Sequence, residues 1–126
     1  MKDEKYLHSE MTDKILKSFY EVYNQVGIGF EKSVYVKSLL ISMKNAGLKR
    51  EINQEKALYY SGEEVGKLRI DIFVEDKVLI KVTVEEKLQD KDVEILQNEV
   101  RLSEIEVGLL LNFGLVPEQR RKIYLK

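Results

Sequence analysis

The chain has no cysteine, no tryptophan, one histidine and one proline. Without cysteine there is no disulfide and no thiolate metal site. A single histidine, His8, leaves no His-rich zinc centre and argues against a His-based catalytic triad, and it reads as a surface residue. With Pro117 alone, no Pro-rich linker divides the chain, and neither a low-complexity tract nor an internal repeat interrupts it. No apolar run approaches the roughly 18 residues of a membrane-spanning helix. The opening MKDEKYLHSE lacks the apolar stretch of a secretory signal. An excess of charge is missing too: 21 Lys and Arg stand against 22 Asp and Glu, a net charge of −1. Proteins that hold nucleic acid by bulk phosphate neutralisation are basic, so contact of that kind needs a local basic face. These absences lead us to expect a cytoplasmic chain with no membrane partner.

What remains is enough for one packed domain spanning 1–126. Of the 126 residues, 44% are hydrophobic and 34% charged, which excludes a disordered chain. A chain this long buries roughly two-thirds of its unfolded surface. Ile15, Leu16, Phe19, Val22, Tyr23 and Val26 recur at helical spacing, predicting a helix from about Glu10 to Val26, with Ser9 as N-cap and Gly27 as stop. A second helix is expected from about Glu31 to Ala46, burying Val34, Tyr35, Leu39, Leu40 and Met43. The period then changes. Leu48 to Tyr60 is strand-compatible, and Ser61-Gly62 reads as a hairpin turn. Leu68, Ile70, Ile72 and Val74 alternate with polar residues, as do Val78, Ile80, Val82 and Val84. Asp90 opens a third helix carrying Val93, Leu96 and Val100. The segment 107–113, VGLLLNF, is apolar on both faces and predicts a central strand. A last edge strand is expected at Ile123-Tyr124-Leu125. The order α-α-β-β-β-α-β-β is that of an α/β domain with a mixed sheet.

The chemistry concentrates on the polar side of two neighbouring strands. Asp71 lies on one, and Lys81 and Thr83 on the next, so the hairpin can bring the three together. A carboxylate beside residues spaced two apart is the layout of a metal-dependent nuclease site. Elsewhere the blander readings hold. Tyr20, Tyr23 and Tyr35 belong to helix packing, and Gly27 and Gly29 have no phosphate-loop context. Arg120, Arg121 and Lys122 form the one dense basic run, which can meet phosphates or simply be solvated.

The segments VGIGF at 26–30, SVY at 33–35, LRIDI at 68–72, EDKV at 75–78, EKL at 86–88 and VGLLLNFG at 107–114 carry a resemblance. The chain resembles the GxxExxY proteins of the PD-(D/E)XK nuclease-like superfamily, from about Leu7 to its end. The resemblance implies a restriction-endonuclease-like αβββαβ core, a mixed sheet flanked by helices. It places the metal-binding aspartate on Asp71, the catalytic E-x-K pair on Lys81 and Thr83, the motif glutamate on Lys32, the motif tyrosine on Tyr35 and a helix glutamine near Ile95. Two of three carboxylate positions are therefore lysines. Divalent cations need several anionic or carbonyl oxygens, and two ammonium groups oppose one. We expect Lys32, Asp71 and Lys81 to form a charge cluster in which ammonium replaces metal. These three positions, with Thr83, would be the remnant of a catalytic site. The expectation is a pseudoenzyme that binds nucleic acid, through Lys32, Lys81, Arg120, Arg121 and Lys122, or a protein partner, with no cofactor.

Two rival readings stand beside it. The first is an active Mg²⁺- or Mn²⁺-dependent DNA endonuclease with a site rearranged around Asp71 and Glu85 or Glu31. Glu85 and Lys87 keep the E-x-K spacing, but Glu85 lies about 13 Å along the strand from position 81. The second is a structural or assembly subunit without nucleic acid. In any of these readings a homodimer can form through the first two helices or the last strand, because an open edge invites pairing.

Overall fold

A computed structural model describes residues 7–126 of the chain. The elements are α1 (Ser9–Val26), α2 (Lys32–Asn45), β1 (Arg50–Tyr60), β2 (Glu63–Val74), β3 (Val78–Thr83), α3 (Asp90–Leu102), β4 (Val107–Phe113) and β5 (Pro117–Ile123). The five strands form one mixed sheet in the order β1-β2-β3-β4-β5. Only β3 and β4 run parallel, with Val78 opposite Val107 and Thr83 opposite Asn112. Parallel neighbours need a crossover, and α3 supplies it.

Alternation along the strands decides which helix covers which face. Ile72, Val74, Val78, Ile80, Val82, Val107, Leu109 and Leu111 pack with Ile15, Phe19 and Val22 of α1 and with Tyr35, Leu39 and Met43 of α2. Phe73, Leu79 and Leu110 point the other way and pack with Leu96 and Val100 of α3. β4 sits between both layers, so all seven of its residues are buried. That is why its sequence shows no alternation. The fit of α3 on β4 depends on Gly108, where an added Cβ would come within 2.6 Å of Val100 Cγ2 and 3.0 Å of Leu96 Cδ1.

Several boundaries differ from the sequence reading; β1, for one, begins at Arg50 rather than Leu48. His8, not Ser9, is the N-cap of α1, in a left-handed conformation (φ 53°) and without a side-chain capping bond. Ser9 is already inside the helix, and its carbonyl accepts the Thr12 hydroxyl at 3.1 Å. β3 ends at Thr83, leaving Val84 outside, because Glu85 is drawn onto Asn112 of β4: its N–H donates to Asn112 Oδ1 at 2.9 Å. The last strand is Pro117–Ile123 rather than Ile123-Tyr124-Leu125. β4 holds it in place by pairing Phe113 with Pro117 and Val107 with Ile123. Its mostly polar sequence carries no strand signal, and the ladder rather than propensity makes it a strand. It is an edge strand, as expected, and β1 forms the opposite edge.

Candidate functional site

β2 and β3 pair only from Ile72–Ile80 to Val74–Val78. β2 continues back to Glu63 paired with β1 alone. Asp71 is the first residue past the end of the β2–β3 ladder. Its Oδ2 accepts the Val82 N–H at 2.9 Å, so a side chain bridges the strands where the ladder stops. The same oxygen meets Lys32 Nζ at 2.9 Å. Lys32 is the first residue of α2, and that first turn carries no acidic residue. A cation there opposes the helix dipole, and the Asp71 carboxylate offsets it. The pair is partly shielded, with Asp71 22% and Lys32 47% exposed at the side chain.

Lys81 points into the same gap from β3. Its ammonium lies 3.0 Å from Glu99 Oε1, on the cleft-facing side of α3. Lys32, Arg69, Asp71, Lys81 and Glu99 form the polar lining of a cleft of about 240 Å³, over an apolar floor of Leu68, Ile70, Leu79 and Ile80. Arg69 reaches Glu55 only at 3.8 Å with both side chains exposed, a contact worth little. The cleft thus holds three cationic and two anionic side chains, and two close ion pairs.

The expected cluster of Lys32, Asp71 and Lys81 is therefore assembled in part. Lys32 pairs with Asp71, whereas Lys81 takes a different carboxylate. Thr83 is not in the cleft: its hydroxyl donates to Asn112 Oδ1 at 2.8 Å, toward β4. Glu99 went unrecognised in the sequence. Its signal was a carboxylate three residues after the buried Leu96 and beside the buried Val100, on the helix face turned to the sheet. Ile95, one turn earlier, is exposed.

The alternative carboxylates lie elsewhere. Glu31 is the exposed N-cap of α2. Glu85 faces Asp92 in the first turn of α3, and the Glu85 Oε2 and Asp92 Oδ2 atoms are both buried without a donor. A hydrogen bond with Asp92 and burial raise the Glu85 pKa above its ordinary value. A single proton between the two oxygens satisfies both. Neither carboxylate lines the cleft of Asp71. The basic run does not form one patch either. Arg120, Arg121 and Lys122 alternate across β5, opposite Leu110, Leu109 and Gly108. Arg120 is exposed, whereas Arg121 donates to the Leu7 carbonyl.

Tyr35 is a fastener for the α1–α2 loop. It is fully buried, donates its hydroxyl to the Gly27 carbonyl at 2.8 Å and accepts the Phe30 N–H at 3.3 Å. Its ring stacks on Phe113 at 4.2 Å. This fixes the loop that leads into Lys32.

With both carboxylates ion-paired, the donor set does not fit a divalent cation. Such ions take six or more oxygens and favour clustered carboxylates. Asp71 Oδ2 is already taken by an ammonium and an N–H, and Glu99 by Lys81. Among the described residues no three His, Cys, Asp or Glu side chains gather in a metal-holding group. No helix is long and apolar enough to cross a membrane, among the described residues.

Comparison with known proteins agrees with this architecture. No curated protein and no solved structure matches the chain. The sequence profile of the PD-(D/E)XK nuclease superfamily matches residues 9–123, from the first residue of α1 to the last of β5. That match spans every element that builds the cleft, and the chain belongs to the PD-(D/E)XK nuclease superfamily.

Proposed function

We propose that this chain is a catalytically silent, GxxExxY-type member of the superfamily that binds nucleic acid through its ion-paired cleft. The observation that supports this reading is the Lys32–Asp71 pair at 2.9 Å. Phosphodiester hydrolysis in this kind of site relies on a metal-activated water. Here an ammonium occupies the carboxylate that would bind the metal. Lys81 stands where the resemblance puts a glutamate and is neutralised by Glu99. Thr83 stands where it puts a lysine and spends its hydroxyl on Asn112. Lys32, Lys81 and Arg69 remain as the groups that would contact phosphate oxygens, since ion pairs can exchange one anion for another.

Calorimetry with Mn²⁺ tests the silence without any choice of substrate. The control carries Lys32→Glu, Lys81→Glu and Thr83→Lys. The expected result is Mn²⁺ binding by the control and none by the natural chain. Binding by the natural chain that is lost in Asp71→Ala would overturn it.

A second reading rests on Asp71 and Glu99 lining one cleft. If a cation displaced both ammonium groups, the two carboxylates would hold it, and the chain would be an endonuclease with a rearranged site. Mg²⁺-dependent nicking of plasmid DNA that disappears in both Asp71→Ala and Glu99→Gln would select this reading.

A further inference from the structure

Three loops meet at the end of the sheet where β3 and β4 finish. They follow α1 (27–31), follow β3 (84–89) and join β4 to β5 (114–116). The junction is built firmly. Tyr23 donates its hydroxyl to the Gly114 carbonyl at 2.6 Å. The Leu115 N–H donates to the Glu86 carbonyl at 3.1 Å, and Asn112 Nδ2 to the Glu85 carbonyl at 2.9 Å. Gly114 has no room for a Cβ, which would come within 2.6 Å of the Glu86 carbonyl oxygen.

These loops display Ile28, Phe30, Val84, Leu115 and Val116, each between 44% and 64% exposed. None of the five belongs to either core cluster. Single exposed apolar residues are ordinary, but a group gathered on converging loops marks an interaction surface. Because the loops are pinned, covering them costs little ordering entropy.

The rim indicates what covers them. Glu31-Lys32 and Glu86-Lys87 are exposed pairs of opposite sign beside the apolar residues. A polyanion would be repelled by the carboxylates, and a strongly basic partner by the lysines. A surface of mixed sign is complementary to itself when a two-fold axis sets one rim pair against the other's copy, Glu31 opposite Lys87 and Lys32 opposite Glu86. The β5 edge is a poorer candidate. In the antiparallel two-fold register of β5 centred on Arg121, Arg120 would face Lys122 and Arg121 its own copy. We infer that this loop end is the interface of a homodimer, with the five apolar side chains at its centre. Lys32 follows Phe30 by two residues, so the dimer sets two clefts side by side.

Sedimentation velocity over a concentration series tests this, using the natural chain, Leu115→Glu and Phe30→Ser. Both variants change exposed side chains, and circular dichroism confirms that they fold. The expected result is a reversible dimer of the 14.8 kDa chain, with dissociation constants raised at least tenfold in each variant and little change with salt. A natural chain that stays monomeric at several hundred micromolar would overturn the proposal and leave the patch to a different partner. A dimer equally stable in both variants would overturn it as well.

Discussion

At the scale of single residues, the cleft is governed by which carboxylate each lysine finds. Lys81 and Glu99 are 29% and 17% exposed at the side chain, so their pair is less screened than a surface bridge. Lys81→Glu removes the attraction and sets two carboxylates together. We expect a cost of about 1–3 kcal/mol, read as a fall in Tm of about 4 °C per kcal/mol. Adding Glu99→Lys restores the pair with its sense reversed, so the double variant melts above the Lys81→Glu single. A purely additive result would show that the two side chains do not interact.

Glu85 supplies the pH dependence. Its hydrogen bond with Asp92 and its burial raise its pKa above the ordinary glutamate value. The folded chain therefore holds this proton more tightly than the unfolded chain does. The pair contributes stability at and below that ordinary value, and the contribution is lost as pH rises through the raised folded value. Above it, two carboxylates face each other without a proton. Glu85→Gln gives Asp92 a permanent donor. We expect it to flatten the acid-side slope of Tm against pH and to raise Tm near neutral pH. An unchanged slope would mean that the two oxygens do not share a proton.

At the scale of elements, the contact of α3 with β4 is the tightest joint. Gly108 lets the helix approach until Val100 and Leu96 lie where a Cβ would be. Gly108→Ala must move the helix or distort Val100, whose β-branched side chain has few alternatives. A loss of about 1–3 kcal/mol in chemical denaturation is expected. Since α3 carries Glu99, the displacement also weakens the Lys81 pair, and Gly108→Ala combined with Glu99→Gln costs less than the sum of the two. The element-scale lesson also explains two misread boundaries. β5 is a strand because β4 lends it a ladder, and β3 stops at Thr83 because Asn112 takes over the next N–H group. Neither cause is local in the chain.

At the scale of the whole molecule, charge limits what the cleft can do. The chain is nearly neutral, at −1, so long-range attraction to a polyanion is weak. Three cleft cations set the ceiling on phosphate contacts. Anisotropy with labelled DNA across a salt series should then give a log–log slope no steeper than about −3. A slope of twice that would require a second cationic surface, which the division of Arg120 and Arg121 across β5 does not supply within one chain and which only the cleft of a second copy could add.

The sequence by itself determined the helices, the central strand and the hairpin turns. Each of these follows from a periodicity or a turn preference that acts over a few neighbouring residues. The left-handed Ser61 and Gly62, with φ 51° and 78°, are an instance. Tertiary structure alone decided the pairing of charges. Lys32 and Asp71 are 39 positions apart and Lys81 and Glu99 are 18 apart. Which ammonium meets which carboxylate depends on where β2 parts from β3 and how closely α3 lies on β4. A side chain's partner is fixed by the packing of whole elements, and packing has no signature in the spacing of the residues it brings together.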